Sequence, residues 1–295
     1  MGTAVFLAAS VMAFGAGCLA RSRYERDCLV TEEYRIASEK IHGQGKTIVF
    51  LTDLHNKEFG EENSRLLETV RKVKPDAVLF GGDGMVAKRG NSDVRIPLAL
   101  LTELAKEFPV YCGNGNHESR MVWKTDVYGE TYEHYRMALE DAGIRYLSNE
   151  AADLDSDIRI YGLDLPKSAY RPRSGEIPEG LLKETLGEPD PEKFCLLLAH
   201  SPLFFEEYAA WGADLTLSGH FHGGTIRLPL VGGVMTPQYQ FFYPRCAGYF
   251  ELPGKGREKS RMIVGRGLGT HSINIRLNDK PQVVVVRLCG ADTQQ

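Results

Sequence analysis

Five short polar clusters constrain this chain more than any other feature, because each one ends an apolar run. In order they are Asp53-Leu54-His55, Gly82-Asp83-Gly84, Gly115-Asn116-His117-Glu118, Ala199-His200-Ser201 and Gly219-His220-Phe221-His222. The runs before them cover residues 47–51, 77–80, 109–112, 194–199 and 215–217. They are short, apolar and partly β-branched, as buried strands are. A sheet built from such strands places ligands in the crevice outside their carboxyl ends. The five clusters are therefore expected to converge on one crevice.

The residue types in the clusters are oxygen and imidazole ligands of the kind that hold first-row divalent cations. Asp53 and His55 stand two residues apart, so an extended backbone would point both to one side. Asp83 follows two glycines that allow a sharp turn and a close approach, and its two oxygens suit it to bridge two cations. Asn116 offers a neutral amide oxygen, and His117 beside it can either ligate or work as an acid. His200 and the pair His220 and His222 add imidazoles; the pair faces one way if its backbone is extended. Any single cluster also reads as an ordinary turn or a satisfied histidine. The ordered set of five points to a dinuclear site. His42, His134 and His271 lack such surroundings and read as surface or structural residues.

With these clusters in hand, the chain resembles the calcineurin-like metallophosphoesterase superfamily. That family's D-x-H, GD, GNH-[ED], lone His and GH-x-H pattern falls on Asp53/His55, Gly82-Asp83, Gly115-Asn116-His117-Glu118, His200 and Gly219-His220-Phe221-His222. The run from His222 to Pro229 and the Gly265-Arg266-Gly267-Leu268-Gly269 run resemble a bacterial, membrane-associated branch. Thr225 stands where that branch usually has Gln, and Gly265 where it usually has Ser.

The resemblance implies one metal held by Asp53, His55, Asp83 and His222, and a second held by Asp83, Asn116, His200 and His220. Asp83 bridges them, and His117 is the catalytic residue. The implied cofactors are two divalent ions, Mn, Fe, Zn or Co. The implied fold is α/β, a four-layer αββα sandwich of two mixed β-sheets with flanking helices, preceded by an N-terminal hydrophobic helix. The implied reaction is hydrolysis of a phosphate ester or pyrophosphate by a hydroxide bridging two metals. The substrate would be a small-molecule or lipid-linked phosphate, possibilities that include a cell-envelope compound. A nucleotide phosphodiesterase is the alternative enzyme, and a non-catalytic metal-binding scaffold the alternative of another class. The scaffold is disfavoured because every ligand position and His117 are present.

Composition bounds the partners. The 295 residues are 25% charged and 43% hydrophobic, an ordinary globular balance long enough for one large domain. A net charge of −4 carries no basic footprint for nucleic acid, so no nucleic acid partner is expected. Six scattered cysteines without a C-x-x-C pair do not suggest a disulfide framework. Residues 3–20 carry no charge, and Arg21, Arg23 and Arg26 follow. This segment reads as a membrane anchor or a signal, with the retained anchor favoured and the side of the membrane open.

Residues 1–20 thus form one segment, 21–45 a linker and edge strand, and 46–290 the metallophosphoesterase domain. Within that domain, apolar residues recurring at three and four predict helices over 61–74, 96–108 and 128–142. Residues 167–178 predict a surface loop near the site, where Arg171 and Arg173 either meet a substrate phosphate or are simply solvated. Leu181, Leu182 and Leu186 suggest a short helix, and β-type runs follow Gly224. The aromatic run 241–243 either lines a lipid-facing groove or packs into the core; core packing is the favoured reading.

Overall fold

The computed structural model describes residues 2–255, 259–270 and 274–291. Its strands are β1 (Val30–Ser38), β2 (Lys46–Leu51), β3 (Ala77–Phe80), β4 (Val110–Cys112), β5 (Arg145–Tyr146), β6 (Glu150–Asp153), β7 (Ile158–Leu163), β8 (Phe194–Ala199), β9 (Leu215–Ser218), β10 (Arg227–Leu228), β11 (Gly232–Gly233), β12 (Gly248–Pro253), β13 (Lys259–Val264) and β14 (Gln282–Gly290). Its helices are α1 (Gly2–Glu25), α2 (Ser64–Val73), α3 (Arg95–Ala105), α4 (Asn116–Trp123), α5 (Thr125–Tyr128), α6 (Thr131–Asp141), α7 (Leu181–Leu186) and α8 (Phe205–Trp211).

Alternation along the apolar strands decides the layering, because successive side chains leave a strand on opposite faces. On β2, Ile48 and Phe50 turn inward to meet Ile160, Leu196, Leu198, Leu215 and Leu217 of the second sheet. Val49 and Leu51 turn outward, with Val78 and Phe80, against Leu66 and Val70 of α2, Leu100 and Leu104 of α3 and Leu139 of α6. On the far side, Tyr161, Leu197 and Ala199 meet Leu182, Tyr208 and Trp211. Three apolar layers therefore separate four layers of secondary structure, the expected helix–sheet–sheet–helix sandwich.

Both sheets are mixed. The first runs β1-β14-β2-β3-β4-β5, with only the β14–β2 pairing antiparallel. The second runs β12-β13-β9-β8-β7-β6, parallel through β13, β9, β8 and β7 and antiparallel at both edges. Strands β2, β3 and β4 of one sheet and β8 and β9 of the other each end at one of the five polar clusters.

The helices fall where the periodicity places them, with shorter ends. Expected residues 61–74 divide into a 3-10 turn at Glu61–Asn63 and α2. Lys74 then takes left-handed backbone (φ 54°) ahead of Pro75, which cannot continue the helix. At the N-terminus, α1 continues through the Arg-rich stretch to Glu25, where a linker is expected. An Arg21–Glu25 ion pair at 2.6 Å and the burial of Ser22 and Glu25 hold that last turn.

Two expectations need correction. The membrane anchor is not supported: among the described residues no helix is long and apolar enough to cross a membrane. The aromatic run is not core either, since Phe241 and Phe242 are 62% and 53% exposed. Only Tyr243 turns inward, its ring 5.3 Å from that of Phe221. All six cysteines are free thiols.

Candidate metal centre

The eight residues singled out in the five clusters meet at one end of the sandwich. Asp53, His55, Asp83, Asn116, His117, His200, His220 and His222 are all buried. Three groups bring ligand atoms within 4.8 Å of one another: Asp53 with His55 and His222, His55 with Asp83 and His117, and Asp83 with His200 and His220. His117 falls in one of these groups, although the resemblance puts it outside the ligand set.

The backbone that delivers these side chains is not extended, contrary to expectation at Asp53/His55 and at His220/His222. Each strand ends before the ligand residues of its cluster, and Asp53, His55, Asp83, His220 and His222 all take positive φ, between 46° and 67°. Left-handed backbone at a non-glycine residue costs on the order of 1–3 kcal/mol and persists where the surroundings over-determine it. Here the surroundings are hydrogen bonds between clusters. Asp53 N–H donates to Gly82 O and His55 N–H to Asp83 O, both at 3.0 Å. Because of this turn, His220 and His222 face different groups. Two glycines admit the carboxylates: a Cβ on Gly115 would lie 2.3 Å from Asp83 Oδ1, and one on Gly219 2.3 Å from Asp53 Oδ2.

Potential ligand atoms crowd together across the pocket. His200 Nε2 is 3.2 Å from Asp83 Oδ2 and 3.7 Å from Asp53 Oδ1. Its Nδ1 lies 2.8 Å from Gly81 O and donates there, so in the neutral ring the lone pair that can ligate sits on Nε2. His55 Nε2 is 3.2 Å from His222 Nε2 and 3.7 Å from Asp83 Oδ2. One end of the Asn116 amide lies 2.8 Å from His220 Nδ1 and 3.2 Å from Asp83 Oδ2. With no cation present, only the NH2 end can face those acceptors; with a cation, the amide oxygen turns in.

Two fully buried carboxylates among imidazole rings demand positive charge. Burial pushes Asp53 up to about 6, with Asp83 adding to the rise. Asp83 is held below the ordinary carboxylate range: burial opposes its charge, but His200 and His117 outweigh it. Burial likewise opposes a charge on His200, yet Asp83 and Asp53 push it up to about 10. Without metal, the site gathers protons where cations fit, so the donor set matches divalent ions.

Several supporting residues were not legible as such. Glu118 accepts from the N–H groups of Asp83 (2.8 Å), Gly84 (2.8 Å) and Gly115 (3.0 Å), fixing two clusters to each other. Arg276, 1% exposed, donates through Nη2 to the carbonyls of Arg266, Gly267 and Gly269 at 2.7–3.1 Å. The turn it clamps donates two N–H groups, of Leu268 and Gly269, to Asp53 O. Ser22 Oγ of α1 accepts from Arg276 N–H at 2.9 Å, and Glu25 Oε2 from Asp279 N–H at 3.3 Å. Tyr170 stands edge-on to His220, ring centres 5.1 Å apart. The three remaining histidines lie elsewhere. His42 is exposed, His134 is exposed on α6 near Glu130, and His271 lies outside the described residues.

A buried His/Asp/Asn cluster at the carboxyl ends of strands from two facing sheets is the architecture of a metal-dependent phosphoesterase. Comparison with known proteins agrees. A family model, the calcineurin-like phosphoesterase, matches residues 46–224, and the chain belongs to that family. An uncharacterized metallophosphoesterase of Aquifex aeolicus is 30% identical, over 92% of this chain and 96% of that protein. The phosphodiesterase YaeI of Escherichia coli is 30% identical, over 86% of each. More distant is LpxG of Chlamydia muridarum, a UDP-2,3-diacylglucosamine pyrophosphatase, 20% identical over 86% of this chain and 87% of its own. The protein is a hydrolase acting on phosphate esters.

Proposed function

We propose that the protein hydrolyses a phosphodiester or a pyrophosphate with two divalent cations. Asp53, His55, Asp83 and His222 would hold one cation, and Asp83, Asn116, His200 and His220 the other. The observation that carries this reading is the crowding of ligand groups around Asp83, whose Oδ2 lies within 3.7 Å of His55, His200 and the Asn116 amide. The names of the relatives, a phosphodiesterase and a UDP-lipid pyrophosphatase, support a substrate with a diester or anhydride phosphorus. The proposed catalytic unit begins at β1 and not at residue 46, because Val30–Ser38 pairs along the whole of β14.

When bound, two such cations supply Lewis acidity and a strong nucleophile near neutral pH. The chain's residues do the rest. Asp83 and Asp53 set the charge of the pocket. Glu118 and the Arg276 turn hold the Asp83 and Asp53 loops at their left-handed angles. His117 Nδ1 accepts from Ala87 N–H at 2.9 Å, so the proton of its neutral ring sits on Nε2. His117 N–H in turn donates to Asp83 Oδ1 at 2.8 Å, which keys the ring to the metal pocket. His117 Nε2–H is thus placed to donate to the leaving oxygen.

The test is a substrate panel. The chain, loaded with Mn2+, is assayed on phosphomonoesters, phosphodiesters and pyrophosphate diesters. The proposal expects turnover of diesters or pyrophosphates well above monoesters. Turnover of monoesters alone, or of none with metal bound, contradicts it.

A further inference from the structure

A second set of side chains lines the cleft next to Asn116, outside the proposed ligand set. On α4, Arg120 and Trp123 follow Asn116 at four and seven, so all three share a helix face, and Lys124 ends the helix. Opposite them lies the 3-10 turn Lys167–Tyr170, followed by Arg171. Between the two walls is a cavity of about 480 Å3, lined by Asn116 and by these residues. That is room for a small molecule.

Four of the lining side chains are cationic: Arg120, Lys124, Lys167 and Arg171. Arg171 pairs with Glu176 at 3.9 Å. Lys124, Lys167 and Arg171 are exposed, and Arg120 is braced by a 2.9 Å bond from Nη1 to Ala87 O. In a chain of net charge −4, this is a local concentration of positive charge. Two aromatic rings join it, Trp123 and Tyr170, centres 6.2 Å apart. Tyr170 in turn abuts His220, and Asn116 lines the cavity, so it borders the metal pocket. The wall is fixed: Gln238 Nε2 donates to the carbonyls of Ala169 (3.2 Å) and Arg171 (2.8 Å), and Arg173 N–H donates to Gln238 O.

We infer that this cleft is a subsite for a second phosphate and for a flat ring carried beyond it. Lysine and arginine suit phosphate oxygens, and tryptophan suits the face of an aromatic ring. A substrate that fills both pocket and cleft is a diphosphate ester bearing an aromatic ring, its scissile phosphorus at the metals. The inference rests on the proposed reaction for that last placement, and on the cleft alone for the binding of phosphate and ring.

The test is binding, followed through heat and the fluorescence of Trp123. The full chain, with Mn2+ and after chelation, is titrated with ADP, AMP, inorganic pyrophosphate and farnesyl diphosphate. ADP should bind about tenfold tighter than AMP, since a charge-assisted contact is worth that much. ADP should also bind more tightly than pyrophosphate or farnesyl diphosphate, and should quench tryptophan fluorescence. Replacing Lys124 and Lys167 together by Glu should weaken ADP about tenfold or more. Trp123→Leu should remove the advantage of ADP over pyrophosphate. These three side chains stand at the rim of the cleft, and an unchanged melting curve verifies the fold of each variant. Equal ADP affinity in the lysine variant and the parent overturns the subsite. Tighter binding of farnesyl diphosphate than of ADP overturns the aromatic ring and points to a lipid. Hydrolysis of a nitrophenyl phosphodiester by the unaltered chain tests the reaction separately. If that ester is inert while ADP binding still depends on the lysines, the reaction fails and the subsite stands.

Discussion

His117 and Asp83 sit next to each other in the pocket, yet their removal should give opposite results. His117→Ala takes away a proton donor and no proposed ligand, so bound metal should be retained. Turnover should fall about 10²–10⁴-fold, the usual worth of general acid catalysis. Elemental analysis alongside kinetics checks both halves. Asp83→Ala removes the shared ligand, and both metals and all turnover should go. Glu118→Ala leaves the buried N–H groups of Asp83, Gly84 and Gly115 without their acceptor. That should lower the unfolding free energy by about 3 kcal/mol, measured by urea titration. The ligand residues were legible because few residue types can hold such cations, and each one marked the end of a strand. Glu118 was visible in the pattern, but its role was not. That role depends on a loop thirty-four residues away meeting it in space. Tyr170 gave no sign at all, because an aromatic residue in a polar loop has many possible neighbours.

Elements were legible where one face is buried and one is not. Helices α2 and α3 show their apolar stripe directly, and β2, β3, β8 and β9 are short apolar runs with clear ends. The pairing of β1 with β14 was not legible, since it joins the two ends of the chain and follows from topology alone. The run 241–243 misled because an aromatic cluster has the same composition in a core as on a surface. The left-handed turns at the strand ends were also hidden, since they are imposed by bonds between clusters. Leu217 of β9, buried between the sheets, tests the packing. Leu217→Ala should cost about 2–5 kcal/mol of stability by denaturant titration. Arg276 joins the last turn of α1 to the loop behind Asp53. Arg276→Met should weaken metal binding at the Asp53 group about 10–100-fold while leaving the Asn116 group filled. Calorimetric titration separates the two sites, and equal affinities at the Asp53 group before and after substitution would show the clamp to be idle.

At the scale of the whole molecule, the sandwich brings five loops from two sheets to one place, and on the proposed reading their gathered ligand groups would make metal part of the folded state. Chelation should therefore lower the melting temperature. Restored metal at 100 times its Kd should return about 2.7 kcal/mol per site. The account stands on the pairing of two cations across Asp83, and crystals of the Mn2+-loaded chain examined by anomalous scattering test that most directly. It predicts two peaks in the pocket, one against His55 and His222, the other against His200 and His220, with Asp83 touching both. One peak, or two that do not share Asp83, would contradict it.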